Sequence, residues 1–184
     1  WSTVPSSMAM EDGTVDHQAL VEFICARHPK RVRAAKAKWE AQHDDSLVDL
    51  LADHLSGDMS RLVLKLLKGK RDLDTEVETN AAEARKQAHR LNDGEEDFID
   101  VLASNSTKQN KLLAEEFENA HDTSLKRAIS QEFSGPVKEA LLALMMGPAD
   151  FYAMALKKAM SGDEVNEKAV CRIVGAADKD EIKQ

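Results

Sequence analysis

Six histidines, two cysteines and a few clusters of charge are the residues whose chemistry could go beyond packing. His17, His28, His43, His54, His89 and His121 never stand four apart on one helical face, and neither cysteine joins them at the spacing of a zinc site. A metalloenzyme centre is not expected. Asp72, Asp74 and Glu76 alternate as in an EF-hand calcium loop, but the run lacks that loop's glycine and terminal glutamate and reads as a solvated linker. No glycine-rich phosphate loop, nucleophile motif or paired-carboxylate cleft can be traced, so no enzymatic activity is expected. Lys30, Arg31, Arg33, Lys36 and Lys38 form a basic helix face that could touch acidic lipid, although a solvated face is the favoured reading of such a run. Met145, Met146 and Met154 fall at core spacing.

The scaffold that must position such residues is helical. Of 184 residues, 42% are hydrophobic, 32% charged and only 4% aromatic. Abundant Ala, Leu, Lys and Glu favour helices over strands, and the apolar share suffices to bury a core in one or two domains. The net charge is -8, without a Lys/Arg cluster interleaved with aromatics, so nucleic acid is not an expected partner. That charge would also repel an acidic lipid surface unless a multivalent cation bridged the two. Cys25 and Cys171 sit in apolar helical patterns and read as reduced and buried. Trp1 to Met10 lacks the features of a signal peptide, and no run approaches the roughly 20 apolar residues of a spanning helix. A cytoplasmic protein touching membranes only peripherally is expected.

The chain repeats itself. A shift of 78 positions, the distance from Leu20 to Phe98, also places Val21, Phe23 and Ile24 on Ile99, Val101 and Leu102. Trp39 then falls on Phe117, Leu47 on Leu125, Ser56-Gly57 on Ser134-Gly135, and Val63, Leu64 and Leu66 on Leu141, Leu142 and Leu144. A third copy opens with Val170, Cys171, Ile173 and Val174. Apolar spacing puts five helices in the first copy, near 15–27, 30–43, 45–55, 58–68 and 75–91. Pro29, Gly57 and Gly69 mark helix ends, Ser106 and Asp122 are N-cap candidates, and Pro136 suits a first helical turn. No segment alternates with period two over strand length, so no sheet is expected.

A repeat of five short helices containing Leu55-Ser56-Gly57-Asp58 and Phe133-Ser134-Gly135 resembles the annexin repeat, and Gly69-Lys70-Arg71-Asp72-Leu73-Asp74, leading into Ala84 and Ala88, resembles that family's long linker between its second and third repeats. The resemblance implies the end of a preceding segment at 1–8, a second repeat at 9–80, a third at 81–155 and the opening of a fourth at 156–184. It also implies an all-α right-handed superhelix that binds phospholipid through calcium. Glu22 and Arg27 match the family's positions lining a polar passage, and Arg172 matches a further arginine there, although Ala177 stands where another is usual.

In the annexins, a glycine-bearing loop between the first two helices offers carbonyl oxygens to calcium, and a carboxylate about 40 residues downstream closes the site. By that resemblance the first loop, Met10-Glu11-Asp12-Gly13-Thr14-Val15, is degenerate. Asp12 and Thr14 stand at the two glycine positions and His54 at the carboxylate, where an imidazole is a poor ligand for a hard cation. The second loop, His89 to Glu96, is about two residues short of the family's but keeps Asp93-Gly94 and its carboxylate, Glu132. The third keeps Gly162. Calcium is therefore expected in weak or partial sites, with an acidic phospholipid surface as partner. The alternative is a calcium-insensitive helical scaffold for a protein or cytoskeletal partner. The family's repeat also carries a whole helix before Ala9, which implies residues missing near Ser7 and Met8, and again near Lys179 to Ile182.

Overall fold

The structure, a computed structural model, describes residues 10–11, 14–27, 29–68, 78–161 and 165–176. Eleven helices follow one another among them: α1 His17–Ile24, α2 Pro29–His43, α3 Leu47–His54, α4 Gly57–Lys68, α5 Ala81–Asn92, α6 Phe98–Ser104, α7 Thr107–His121, α8 Leu125–Glu132, α9 Gly135–Ala143, α10 Pro148–Met160 and α11 Glu167–Ala176. The all-α architecture expected from composition and periodicity is what the chain adopts. The expectation of no sheet needs one correction. Met10–Glu11 (β1) and Thr14–Val15 (β2) pair antiparallel, Met10 opposite Val15 and Glu11 opposite Thr14. A ladder of two residues is too short to leave an alternating pattern.

Short polar residues start most of the helices. Asp16, Ser46, Asn80, Asp97, Ser106 and Ser124 each accept a backbone N–H from the first turn that follows, a contact worth about 1 kcal/mol. Pro29, Pro136 and Pro148 open helices where no intrahelical N–H is needed. Asp122 is not an N-cap. It closes α7 in the left-handed region, with φ 52°, and Ser124 caps α8 instead. Asp44 does the same at φ 53°, and the paired glycines Gly57 and Gly135 have φ 57° and 59°. The 78-residue shift seen in side chains is thus repeated in backbone conformation.

Packing divides the helices differently from the sequence shift. Helix α5 lies along α7, which packs on α8, while α9 meets both α8 and α6. The helix counted last in the first copy therefore belongs physically with α6 to α9. The boundary at 155/156 falls inside α10, and α10 packs on α11. Between the bundles, α4 packs on α6, and α9 packs on both α1 and α4. One continuous core results, including Leu20, Trp39, Leu62, Ile99, Phe117 and Leu141.

Two side chains depart from expectation. Cys25 is buried, but Cys171 is exposed, and Met154 is 43% exposed while Met145 and Met146 rest against the core. Helical spacing identifies a stripe, and what covers that stripe is decided by other segments. Gly69, the run Asp72 to Glu76, Gly162, Ala177 and the joints near Ser7 and Lys179 lie outside the described residues.

Among the described residues Asn110 is the polar residue most firmly enclosed, at 0% exposure. Its Nδ2 donates to the carbonyls of Leu102, 3.0 Å, and Leu144, 3.1 Å, tying the ends of α6 and α9 to α7. Asn110→Ala strips a donor from both carbonyls and should lower unfolding free energy by about 2–4 kcal/mol in a denaturant titration. Asn110→Asp, which also lacks the amide donor, should be no better.

Candidate functional site

The loop between α5 and α6 is tightly wound. Asp93 N donates to His89 O at 2.9 Å, Gly94 N to Leu91 O at 3.3 Å, and Glu95 N and Glu96 N both to Arg90 O, at 2.8 and 3.3 Å. Gly94 makes the reversal at φ 72°, in open space, a conformation that side-chain-bearing residues rarely adopt. The Arg90 guanidinium then clasps Glu96 at 2.7 Å. Asp97 closes the loop, its Oδ1 accepting from Ile99 N at 2.8 Å and Asp100 N at 3.2 Å.

Glu132, the last residue of α8, stands near this closure. Much of its side chain reaches solvent, yet the buried remainder, and after it the repulsion of Asp97 and Asp58, raises its carboxyl above the ordinary value. Among the described residues no hydrogen bond or ion pair engages it. Asp97 and Asp100 are differently placed. Arg61 of α4 meets Asp97 at 3.0 Å and Asp100 at 2.7 Å, and Lys65 also meets Asp100. Those hydrogen bonds, Lys65's first, hold the Asp100 carboxyl below its usual value.

A hard cation needs six to eight oxygens. Among the described residues no three His, Cys, Asp or Glu side chains share a point where a metal could sit. Glu132 is an unengaged carboxylate near the loop that Gly94 turns, and a calcium ion held there would need further oxygens.

The position equivalent to Glu132 in the first repeat is His54, and it faces its own helix. Its Nδ1 lies 2.8 Å from the Leu50 carbonyl, and since a carbonyl only accepts, that nitrogen carries the proton. Thr14 and Met10 are taken into the two-residue ladder. Asp12 and Gly13 lie outside the described residues.

Of the three residues assigned to the polar passage, two come together. Glu22 is 3% exposed, and Arg172 grips it with two prongs, Nε to Oε2 at 2.7 Å and Nη2 to Oε1 at 3.0 Å. A third nitrogen, Nη1, reaches Asp16 Oδ2 at 3.5 Å. Arg27 instead lies over the Phe23 ring, 5.4 Å from its centroid, and its buried Nε finds no hydrogen-bond partner among the described residues. Sequence reasoning missed Asp16, which caps α1 through Ala19 N at 3.0 Å while facing Arg172. A short acid directly before an apolar helical run was the available signal.

Removing one member of a buried ion pair strands the other charge. Glu22→Ala should therefore cost about 3–5 kcal/mol, whereas the double change Glu22→Leu with Arg172→Met should recover most of it in a mutant cycle by denaturant unfolding. Glu132 carries the opposite sign. Because folding raises its pKa, its favourable contribution is complete below the unfolded value, about 4.3, and vanishes as pH rises through the folded value. Glu132→Gln should thus be neutral to slightly stabilising at pH 7 without calcium, within about 0.5 kcal/mol as for surface changes. The difference should disappear below about pH 4 in thermal melts repeated across pH.

Comparison with known proteins follows these contours. A family model described as Annexin matches residues 79–144, which coincides with the bundle α5 to α9. Annexin B10 of Drosophila melanogaster is 28% identical over 191 residues, covering 96% of this chain and 59% of that protein. Among solved structures, annexin III superposes with TM-score 0.81 at 23% identity, covering 92% of this chain and 55% of that one. A calcium-bound annexin, (Sm)1, does so with TM-score 0.75 at 21% identity over 90% of this chain and 54% of that one. The chain spans about half the length of these relatives.

Proposed function

From its likeness to annexins, we propose that the chain is a non-enzymatic, calcium-dependent phospholipid-binding module of that family, acting peripherally on membranes from the cytoplasmic side. Its repeats divide as 9–80, 81–155 and 156–184, with the second joint better placed at Gly147, where α10 begins, and they wind as a right-handed superhelix. Among the described residues no helix is long and apolar enough to cross a membrane.

The observation that carries this reading is the unengaged Glu132 carboxylate, its charge disfavoured by burial, Asp97 and Asp58. An acid in that position gains when a cation arrives, because the ion's charge dominates the local field. Calcium would supply positive charge and open positions for lipid phosphate. Glu132 would hold it with carbonyls of the Asp93-Gly94 loop, and Gly162 would belong to a further partial site. Binding at one corner would be weak, since a single carboxylate gives few charged ligands. The turned imidazole of His54 favours the same economy in the first repeat, where Met10, Asp12, Gly13 and Thr14 keep the outline of a loop without its ligands. Glu22, Arg27 and Arg172 would serve the polar passage, with the Glu22–Arg172 pair as its fixed element. A calcium-insensitive scaffold is the second reading, and the lost first site is what favours it.

Co-sedimentation with phosphatidylserine-containing vesicles tests the proposal. Pelleting should require millimolar calcium and reverse with chelator, and Glu132→Ala should demand about tenfold more calcium, the loss of roughly 1.4 kcal/mol. Calcium-independent pelleting, or none, would favour the scaffold.

A further inference from the structure

Asp97 divides its two oxygens between two tasks. Oδ1 caps α6, accepting from Ile99 N and Asp100 N, while Oδ2 faces across the joint to Nη1 of Arg61 on α4, at 3.0 Å. Arg61 has a second hold. Its Nη2 reaches Asp100 Oδ2 at 2.7 Å, and Lys65 takes the other oxygen of Asp100. An Arg61 that let go of Asp97 would therefore still keep an acid. The contact it would release is a solvated one, with the Arg61 and Asp97 side chains 43% and 34% exposed, and ion pairs of that kind contribute little.

The same Asp97 closes the loop that Gly94 turns, and it lies near enough to Glu132 for its charge to disfavour that carboxylate. Among the described residues Arg61 pairs with Asp97 and Asp100 and not with Glu132. The first repeat offers a comparison. Ala19 stands there at the position of Asp97 and His54 at that of Glu132, so the repeat that lacks one acid also lacks the other.

We infer that Arg61 is a built-in competitor of calcium at the Glu132 corner: resting against Asp97 Oδ2, it withholds a second carboxylate from an ion held by Glu132, and the ion binds best by taking that oxygen while Arg61 stays on Asp100. This rests on the calcium reading of Glu132. A divalent ion attracts the oxygen more strongly than a guanidinium shared between two acids, and calcium affinity rises with the number of charged ligands. The Asp97 cap is untouched, since it uses the other oxygen. Coupling between the two events is reciprocal. Whatever factor Arg61 takes from calcium binding, calcium takes from the Arg61–Asp97 contact, which helps to fasten α4 to α6.

The test measures calcium binding to the whole chain by titration calorimetry at low salt, with wild type, Arg61→Gln, Asp97→Asn, the double variant and Glu132→Ala. Asn can keep the cap, and circular dichroism and melting in chelator confirm that each variant folds. Arg61→Gln should bind calcium about fivefold more tightly, the low end of ordinary site coupling. Asp97→Asn should bind more weakly than wild type, and the double variant no more tightly than Asp97→Asn. Urea unfolding of wild type, the two single variants and the double variant should give a smaller Arg61–Asp97 coupling in saturating calcium than in chelator. Arg61→Gln binding no more tightly than wild type, or gaining as much beside Asp97→Asn, overturns the inference, while a weakened Glu132→Ala leaves the calcium reading standing. Glu132→Ala binding as wild type does, or no binding by any variant, overturns that reading and the inference with it.

Discussion

A carboxylate sealed inside a helical interface needs hydrogen-bonding or ionic partners, and a cation held against both of its oxygens supplies them. Glu22 of α1 is in that situation, and Arg172 of α11 meets it 150 residues later in the chain. Desolvating two charges costs several kcal/mol each, and attraction offsets this only when the geometry is nearly ideal. The planar fork of arginine provides it. Helices α1 and α11 are consequently fixed in rotation as well as in distance. Since α1 also packs on α9, and α9 on α4, the orientation passes through the apolar joint between the bundles. Leucines on either side would hold the helices together while allowing them to slide.

Charge is handled differently at the corner near Glu132. Four carboxylates gather there, from Asp58, Asp97, Asp100 and Glu132, and among the described residues cations reach Asp97 and Asp100 alone. Arg61 and Lys65 reach across from α4 to Asp97 and Asp100, which fastens one bundle to the next. Each such bridge is partly solvated and contributes little alone, but Arg61 shared by two acids resists separation better than a single pair. Glu132 is left outside this network. The same cluster thus contains a joint that is satisfied and an acid that is not, and the division follows from how far the α4 side chains extend.

Much of the fold was legible because its information is periodic. The 78-residue shift identified equivalent core residues, and the structure buries both members of the pairs Leu20 and Phe98, Trp39 and Phe117, and Leu47 and Leu125. Capping was partly legible. Ser106 behaved as its type suggests, whereas Asp122 took the left-handed position that short polar residues also favour, and nothing local distinguishes the two roles. A repeat read by shift has no privileged starting point, so the shift alone counted α5 with the first copy, whereas the resemblance put it in 81–155. The exposure of Cys171 and Met154 depends on what neighbouring segments cover. At the site, Glu132 and the glycine turn could be placed by residue type, but its unpaired state depends on where Arg61 points, which no spacing encodes.

Helix α4 joins these themes mechanically. Met59, Leu62, Val63 and Leu67 are all buried, so the core grips this rod from its first turn, beside the acidic corner, to its last, and neither end can shift without disturbing the packing between the bundles.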